Sequence, residues 1–265
     1  MTTTHRTQAG SSSRLTTRIL KTSVLLAAAT TLALTSCSIT TSTNAAPTAT
    51  QGSQASTGQT APAATQDAPS ATATSSAAAL AVLPSIPAKG RAPKTGYKRD
   101  LFGPAWKDVD LPPTYRKNGC DQRNDVLKRD LSAVELKPGT HDCVVLSGHL
   151  ADPYTGKGVD FVKGGASEVD IDHLVPLSDS WQKGAQAWDQ SKRERFANDP
   201  ANLAASSAAA NRSKGDSDLA TWLPPNRAHW CDYAAKIVQV KAGYGLWMTP
   251  AEHERAEQIL TDCTT

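Results

Sequence analysis

Apolar and polar positions divide the 265 residues into an apolar leader, a long stretch without alternation, and a last region whose period changes from element to element. In that region Val126, Leu127 and Leu131 recur along the charged segment Asn118 to Leu131, which predicts a short helix. Cys143 to Leu146 predicts a short strand and Asp152-Pro153-Tyr154-Thr155-Gly156 a turn. From Gly156 to Val175 the chain reads as extended segments around Gly164-Gly165. Val159 and Phe161 alternate with polar neighbours, and Val169, Ile171 and His173 have the parity opposite to Asp170 and Asp172. Trp181 to Phe196 predicts a helix that can pack through Trp181, Ala185, Trp188 and Phe196 and that ends at Pro200. Another helix is expected from Asn211 to about Trp222, where Pro224-Pro225 stops it. The last pair covers roughly Arg227 to Tyr244 and Thr249 to Cys263. The second opens on Thr249 as cap, Pro250 at the first helical position and Glu252 at the third.

The leader places Arg6, Arg14, Arg18 and Lys21 ahead of an apolar run, Ser23 to Leu34, that is too short for a bilayer span. Residues 1–36 are therefore expected to be a signal peptide. Leu34-Thr35-Ser36-Cys37 resembles the lipobox of bacterial lipoproteins, which implies lipidation of Cys37 and attachment to a membrane; the alternative is an ordinary signal cut after Ala45 or Ala46. Residues 37–90 are almost entirely Ala, Thr, Ser, Gln, Pro and Gly with Asp67 as the only charge before Lys89, a composition that predicts a flexible linker. Its Ala78 to Leu83 run is expected to form no more than a transient helical turn. Residues 91–265 are expected to form one folded domain, which holds all six Trp and all three Phe. Removing the leader takes four positive charges and no negative one, so the formal +3 becomes about −1. The basic character thus belongs to the leader and says little about affinity for nucleic acid.

Cys120, Cys143, Cys231 and Cys263 form an even set in an exported chain with no C-x-x-C pair, which favours disulfides over zinc. Of the three connectivities, Cys120 with Cys143 and Cys231 with Cys263 close local loops and are preferred.

Chemistry concentrates in Asp172-His173, Asn202 and Asn211-Arg212-Ser213-Lys214. Hydrolysis of a phosphodiester needs an activated water and positive charge at the phosphoryl oxygens. His173 is assigned as general base, with an imidazole titrating near neutrality, and Asp172 as a carboxylate metal ligand. Asn211 is assigned as second ligand through its amide oxygen, an oxygen set that suits one Mg2+ or Mn2+ ion. Lys214, one turn later, is assigned to a phosphate, and Asn202 to fixing the loop or the histidine. On an extended segment Asp172 and His173 point to opposite sides, so a bend or bulge is expected to aim both into one cleft. Asp170 is a candidate partner of His173, and Arg123, Arg129 and Arg193 are candidate phosphate contacts. The bland alternative is an Asp-His bridge closing a loop, with the two Asn as caps. The Trp residues are expected to pack in the core rather than stack bases.

This order of residues resembles the HNH, or beta-beta-alpha-metal, endonucleases, with His173, Asn202 and Asn211 at the three name-giving positions. The span from about Asp100 to Cys263 is similar to exported actinobacterial HNH endonuclease family proteins, related to the nuclease domain of GmrSD-type restriction enzymes. The likeness is carried by Arg99-Asp100-Leu101-Phe102-Gly103, Gly119-Cys120-Asp121, Arg123-Asn124-Asp125-Val126-Leu127, Asp152 to Gly156, Phe196 to Leu203 and Asn211 to Asp216. It implies an α+β fold: an HNH core embedded in a mainly helical, disulfide-stapled domain. It also implies a metal-dependent enzyme acting outside the cytoplasm as a monomer on DNA and, as a second substrate, RNA. Two departures are the run Ala204 to Ala210, where relatives carry a more varied loop, and a long separation of His173 from Asn202. A noncatalytic envelope-binding lipoprotein and a phosphodiesterase for small or wall-linked substrates are the competing readings.

Overall fold

The computed structural model describes residues 71–264 apart from Thr114 and Ser167; the expected signal peptide, Cys37 and the linker up to residue 70 lie outside the described residues. The first element differs from expectation. Instead of a transient turn, Ala71–Val82 is a helix (α1) that continues into a 3-10 turn and packs on the two C-terminal helices. Ser76, Ala79 and Leu83 fall on one buried face, and Ile86 follows them into the core. A bridge between Ala88 and Met248, with Lys89 N–H donating to Met248 O at 2.8 Å, ties the segment down. The isolated composition of this stretch hides its partner, which lies more than 150 residues away.

Helix α2 (Gln122–Asp130) starts at Asp121, whose carboxylate accepts from Asn124 N–H. Strands β1 (Leu131–Leu136), β2 (Val145–Ala151) and β3 (Gly158–Val162) form an antiparallel sheet in that order. Strands β4 (Val169–His173) and β5 (Leu203–Ser207) form a second antiparallel pair, in which Val169 faces Ser207 and His173 faces Leu203. β5 and the first turn of the helix after it take up the run Ala204 to Ala210. Helix α5 (Ala208–Lys214) follows at once with Ser207 as its cap and stops at Gly215, φ 54°, well short of Trp222.

The predicted helix from Trp181 to Phe196 is three pieces: α3 (Leu177–Gln182), a 3-10 turn and α4 (Gln190–Ala197). Gly184 at φ 128° breaks the first, and Asp189 caps the last by accepting from Lys192 N–H. Helices α6 (Trp230–Tyr244) and α7 (Pro250–Asp262) close the chain, and the Thr249 cap accepts from Glu252 N–H. Both disulfides are formed in the preferred pairing, Cys120 with Cys143 and Cys231 with Cys263.

Two apolar clusters result, one helical, around Phe102, Tyr154, Phe196, Tyr233 and Leu260, and one between α2 and the sheets, around Val126, Leu150, Ile171 and Leu203. A buried ionic network joins the helical side. Lys183 Nζ donates to Asp179, Asp218 and Glu252 at 2.8, 2.7 and 2.6 Å, and Lys241 and Arg91 complete it. Asp218, which burial alone would raise, is brought down to about 2 by Lys183.

Candidate active site

The site is built on the end of β4. Its pairing with β5 runs without a shift from Val169 to His173, so the expected bulge is absent and alternate side chains leave on opposite faces. Val169 and Ile171 enter the sheet-side cluster. Asp172 points the other way and lies buried between two donors: the Tyr154 hydroxyl at 2.5 Å on Oδ2 and Lys214 Nζ at 3.0 Å on Oδ1. Burial raises the Asp172 pKa, and Lys214 and Tyr154 pull it back only in part. The Tyr154 hydroxyl is pushed well above its usual value by burial and the neighbouring carboxylate, so it remains a donor.

Lys214 is therefore not a solvent-facing phosphate grip. It is 1 % exposed and also donates to His173 O at 2.7 Å. One turn before it on α5, Asn211 Nδ2 donates to Asp170 Oδ2 at 3.3 Å, so the helix amide meets Asp170 and not Asp172. Asp170 and Asn211 are partly exposed, unlike Asp172 behind them. Asn202 grips the strand exit. Its Oδ1 accepts from Val175 N–H at 2.8 Å, its Nδ2 donates to Val175 O at 3.2 Å, and its own carbonyl accepts from Leu174 N–H.

His173 sits apart from the carboxylate, with Nε2 2.8 Å from Ala197 O. A carbonyl only accepts, so Nε2 carries the proton and Nδ1 keeps a lone pair that has no hydrogen-bond partner among the described residues. The Trp106 ring lies nearly parallel to the imidazole, 15° between planes and 6.1 Å between centroids. Burial lowers the His173 pKa to about 3, with Arg99 and Lys214 adding to the effect against the Ala197 bond. The ring is thus neutral at every working pH rather than titrating near neutrality. His173, Trp106 and Arg99 line a cavity of about 20 Å3, room for one water. A far larger cleft of about 1340 Å3 runs past Leu174, Leu203 and Tyr244, but its walls balance Arg129, Lys192 and Lys236 against Asp130, Asp199 and Asp232.

The three arginines expected at phosphates brace the fold. Arg123 donates to Val169 O, Arg129 to Pro200 O and Leu203 O, and Arg193 to Leu101 O and Trp188 O. Among the described residues no three His, Cys, Asp or Glu side chains converge on a common ion position. Asp170 and Asn211 present oxygen donors, the type that suits a hard divalent cation, at the partly exposed end of β4 and α5, whereas both oxygens of Asp172, expected as a metal ligand, are engaged by Tyr154 and Lys214 behind them. Sequence reasoning missed Tyr154, Arg99 and Trp106. The first two stood in quoted motifs without a role, and Trp106 carried only the signal of a scattered tryptophan.

No solved structure matches the chain. An uncharacterized secreted protein of Arthroderma benhamiae is 35 % identical over 184 residues, 69 % of this chain and 83 % of the relative. Residues 121–256, which run from the cap of α2 into α7 and enclose β4, β5 and α5, match the family described as GmrSD restriction endonucleases, C-terminal domain, and the chain belongs to that family.

Proposed function

We propose that the protein is an exported, metal-dependent endonuclease that hydrolyses phosphodiester bonds of DNA, and of RNA as a second polymer, with little sequence preference. The observation that carries this is the locked tautomer of His173: Nε2–H is held by Ala197 O, which leaves Nδ1 as the acceptor on a ring that lines a water-sized cavity. In this reading β4, β5 and α5 are the beta-beta-alpha core of an HNH nuclease. His173 takes a proton from the attacking water, and the water oxygen bonds to phosphorus as the bond to the leaving sugar oxygen breaks. Burial is the main cause of the low basicity of this imidazole, and a phosphodiester anion nearby offsets the smaller part that the Arg99 and Lys214 charges add. Lys214 and Tyr154 hold Asp172, and Asn202 fixes the turn after His173.

One Mg2+ or Mn2+ ion, when bound, supplies positive charge to the phosphoryl oxygens; Asp170 and Asn211 would hold it at the partly exposed end of the site, with Asp172, clamped by Tyr154 and Lys214, as the carboxylate behind them. Export follows from the leader, and the relative of similar sequence is named a secreted protein. No described helix is long and apolar enough to cross a membrane. Attachment through a lipidated Cys37 and a monomeric state complete the reading. The test is cleavage of supercoiled plasmid, linear DNA and RNA by the purified protein with Mg2+, Mn2+ or EDTA, with His173→Ala in parallel. Metal-dependent cutting lost in that variant supports the reading. A folded protein that cuts only a small chromogenic diester, or nothing, refutes it in favour of a small-substrate phosphodiesterase or a binding lipoprotein.

A further inference from the structure

We propose that Arg99, at the mouth of the small cavity, binds the nonbridging oxygens of the phosphate under attack, and that Trp106 is the positioning residue that holds His173 toward it. This rests on the nuclease reading above and names the substrate contact within that site. Three observations converge. Arg99 is exposed and its guanidinium has no hydrogen-bond or carboxylate partner among the described residues, whereas Arg123, Arg129 and Arg193 are all engaged on backbone carbonyls. Of these four, Arg99 alone borders the cavity that His173 lines, and its charge acts on the imidazole. A guanidinium without an internal partner beside a general base is arranged to receive an anion, and its planar fork matches two phosphoryl oxygens.

The loop that carries this geometry is held in place at several points. Trp106 has φ 60°, a conformation costly for a bulky residue and kept only where the surroundings enforce it. Here Trp106 O accepts from Gln122 N–H at 3.1 Å, and Lys107 N–H donates to Asn198 Oδ1 at 2.9 Å. Gly103, φ 77°, lies so close to Glu194 that a Cβ would come 2.7 Å from Oε2. The loop is therefore a fixed platform that stacks the indole on the imidazole while Ala197 O holds Nε2. A water in the cavity gives its proton to His173, and Arg99 fixes the phosphate on which that water acts.

The experiment uses the full chain as Arg99→Gln, Arg99→Lys, Trp106→Phe and Trp106→Ala, with Arg116→Gln, an exposed arginine paired with Asp110, as control. Steady-state cleavage of a fluorescent duplex is measured together with duplex binding by anisotropy across a salt series. Expected for Arg99→Gln is a fall in kcat/KM of about 10- to 100-fold, the range for losing a hydrogen bond to a charged group. The slope of log affinity against log salt should shrink by about 0.9, one phosphate contact. Arg99→Lys should restore the slope but not the full rate. Trp106→Ala should lower kcat with binding unchanged, and Trp106→Phe should restore most of it. Wild-type rate and slope in Arg99→Gln, beside an active wild type, overturn the proposal. An inactive wild type that still binds duplex with a slope reduced in Arg99→Gln removes the nuclease reading and leaves Arg99 as a phosphate contact.

Discussion

Replacing Lys214 with Met separates a cation that holds a buried carboxylate from one that grips substrate. The two side chains of the pair are 0 % and 5 % exposed, and Nζ bridges Asp172 Oδ1 at 3.0 Å and His173 O at 2.7 Å. Removing one partner of a buried ion pair leaves an uncompensated charge and costs about 3–5 kcal/mol, a large part of the roughly 5–15 kcal/mol that stabilises a domain. Asp172 is already raised by burial against the pull of Lys214, so the substitution raises it further. Between the unfolded value and that raised value the folded state binds the extra proton, and stability falls as pH rises. The deficit of Lys214→Met relative to wild type should thus be larger at pH 8 than at pH 5, and Lys214→Met with Asp172→Asn should recover most of it. Urea unfolding followed by tryptophan fluorescence at both pH values reads all of this. Stability within about 1 kcal/mol of wild type at pH 8, together with weaker DNA binding and a smaller salt slope, would refute the buried-clamp argument.

Other perturbations act on separate parts of the site. His173→Gln should reduce plasmid cleavage by about 10²- to 10⁴-fold, the usual worth of a general base, with an unchanged circular dichroism spectrum. Because the folded pKa of His173 is lowered to about 3, the unfolded state binds its proton first on acidification, so stability falls as pH drops from 6.5 toward 3. That component, roughly 3–5 kcal/mol, should be missing from the urea pH profile of His173→Gln. Asn202→Ala leaves the buried amide and carbonyl of Val175 without their side-chain partner and should cost about 1–3 kcal/mol per orphaned group, read as a lower urea midpoint. Reduction of the two disulfides, which span 23 and 32 residues, should lower stability by about 3–4 kcal/mol each in the loop-entropy picture, measured by melting with and without thiol reductant.

What was legible in the sequence depended on side-chain volume. The helix around Val126 and Leu127, the Thr249 cap and the strand ending in His173 carry large apolar residues or capping chemistry, and each forms where the pattern places it. β5 is Leu-Ala-Ala-Ser-Ser, whose small residues show almost no alternation, and it is a strand because β4 pairs with it. α1 is similarly mute, since Ser76 and Ala79 make a narrow buried stripe that only α6 and α7 complete. Gly184 and Asp189 were readable as a break and a cap, but the spacing of Trp181, Ala185, Trp188 and Phe196 outweighed them.

The parity of β4 has the largest functional consequence. Adjacent residues on a regular strand cannot share a face, so a chain that places Asp and His side by side without a bulge needs two separate sets of supports. One set, Tyr154 and Lys214, comes from a turn and a helix end and satisfies the buried carboxylate. The other, Ala197 O and Trp106, comes from segments on either side of β4 in sequence and fixes the imidazole tautomer and plane. Lys214 links them, because the ammonium that clamps Asp172 also bonds the carbonyl of His173. A loss of that clamp is therefore expected to disturb the imidazole as well as the carboxylate. Lys214 was legible as a residue that matters, and its burial explains why its role lies inside the strand end and not at the substrate.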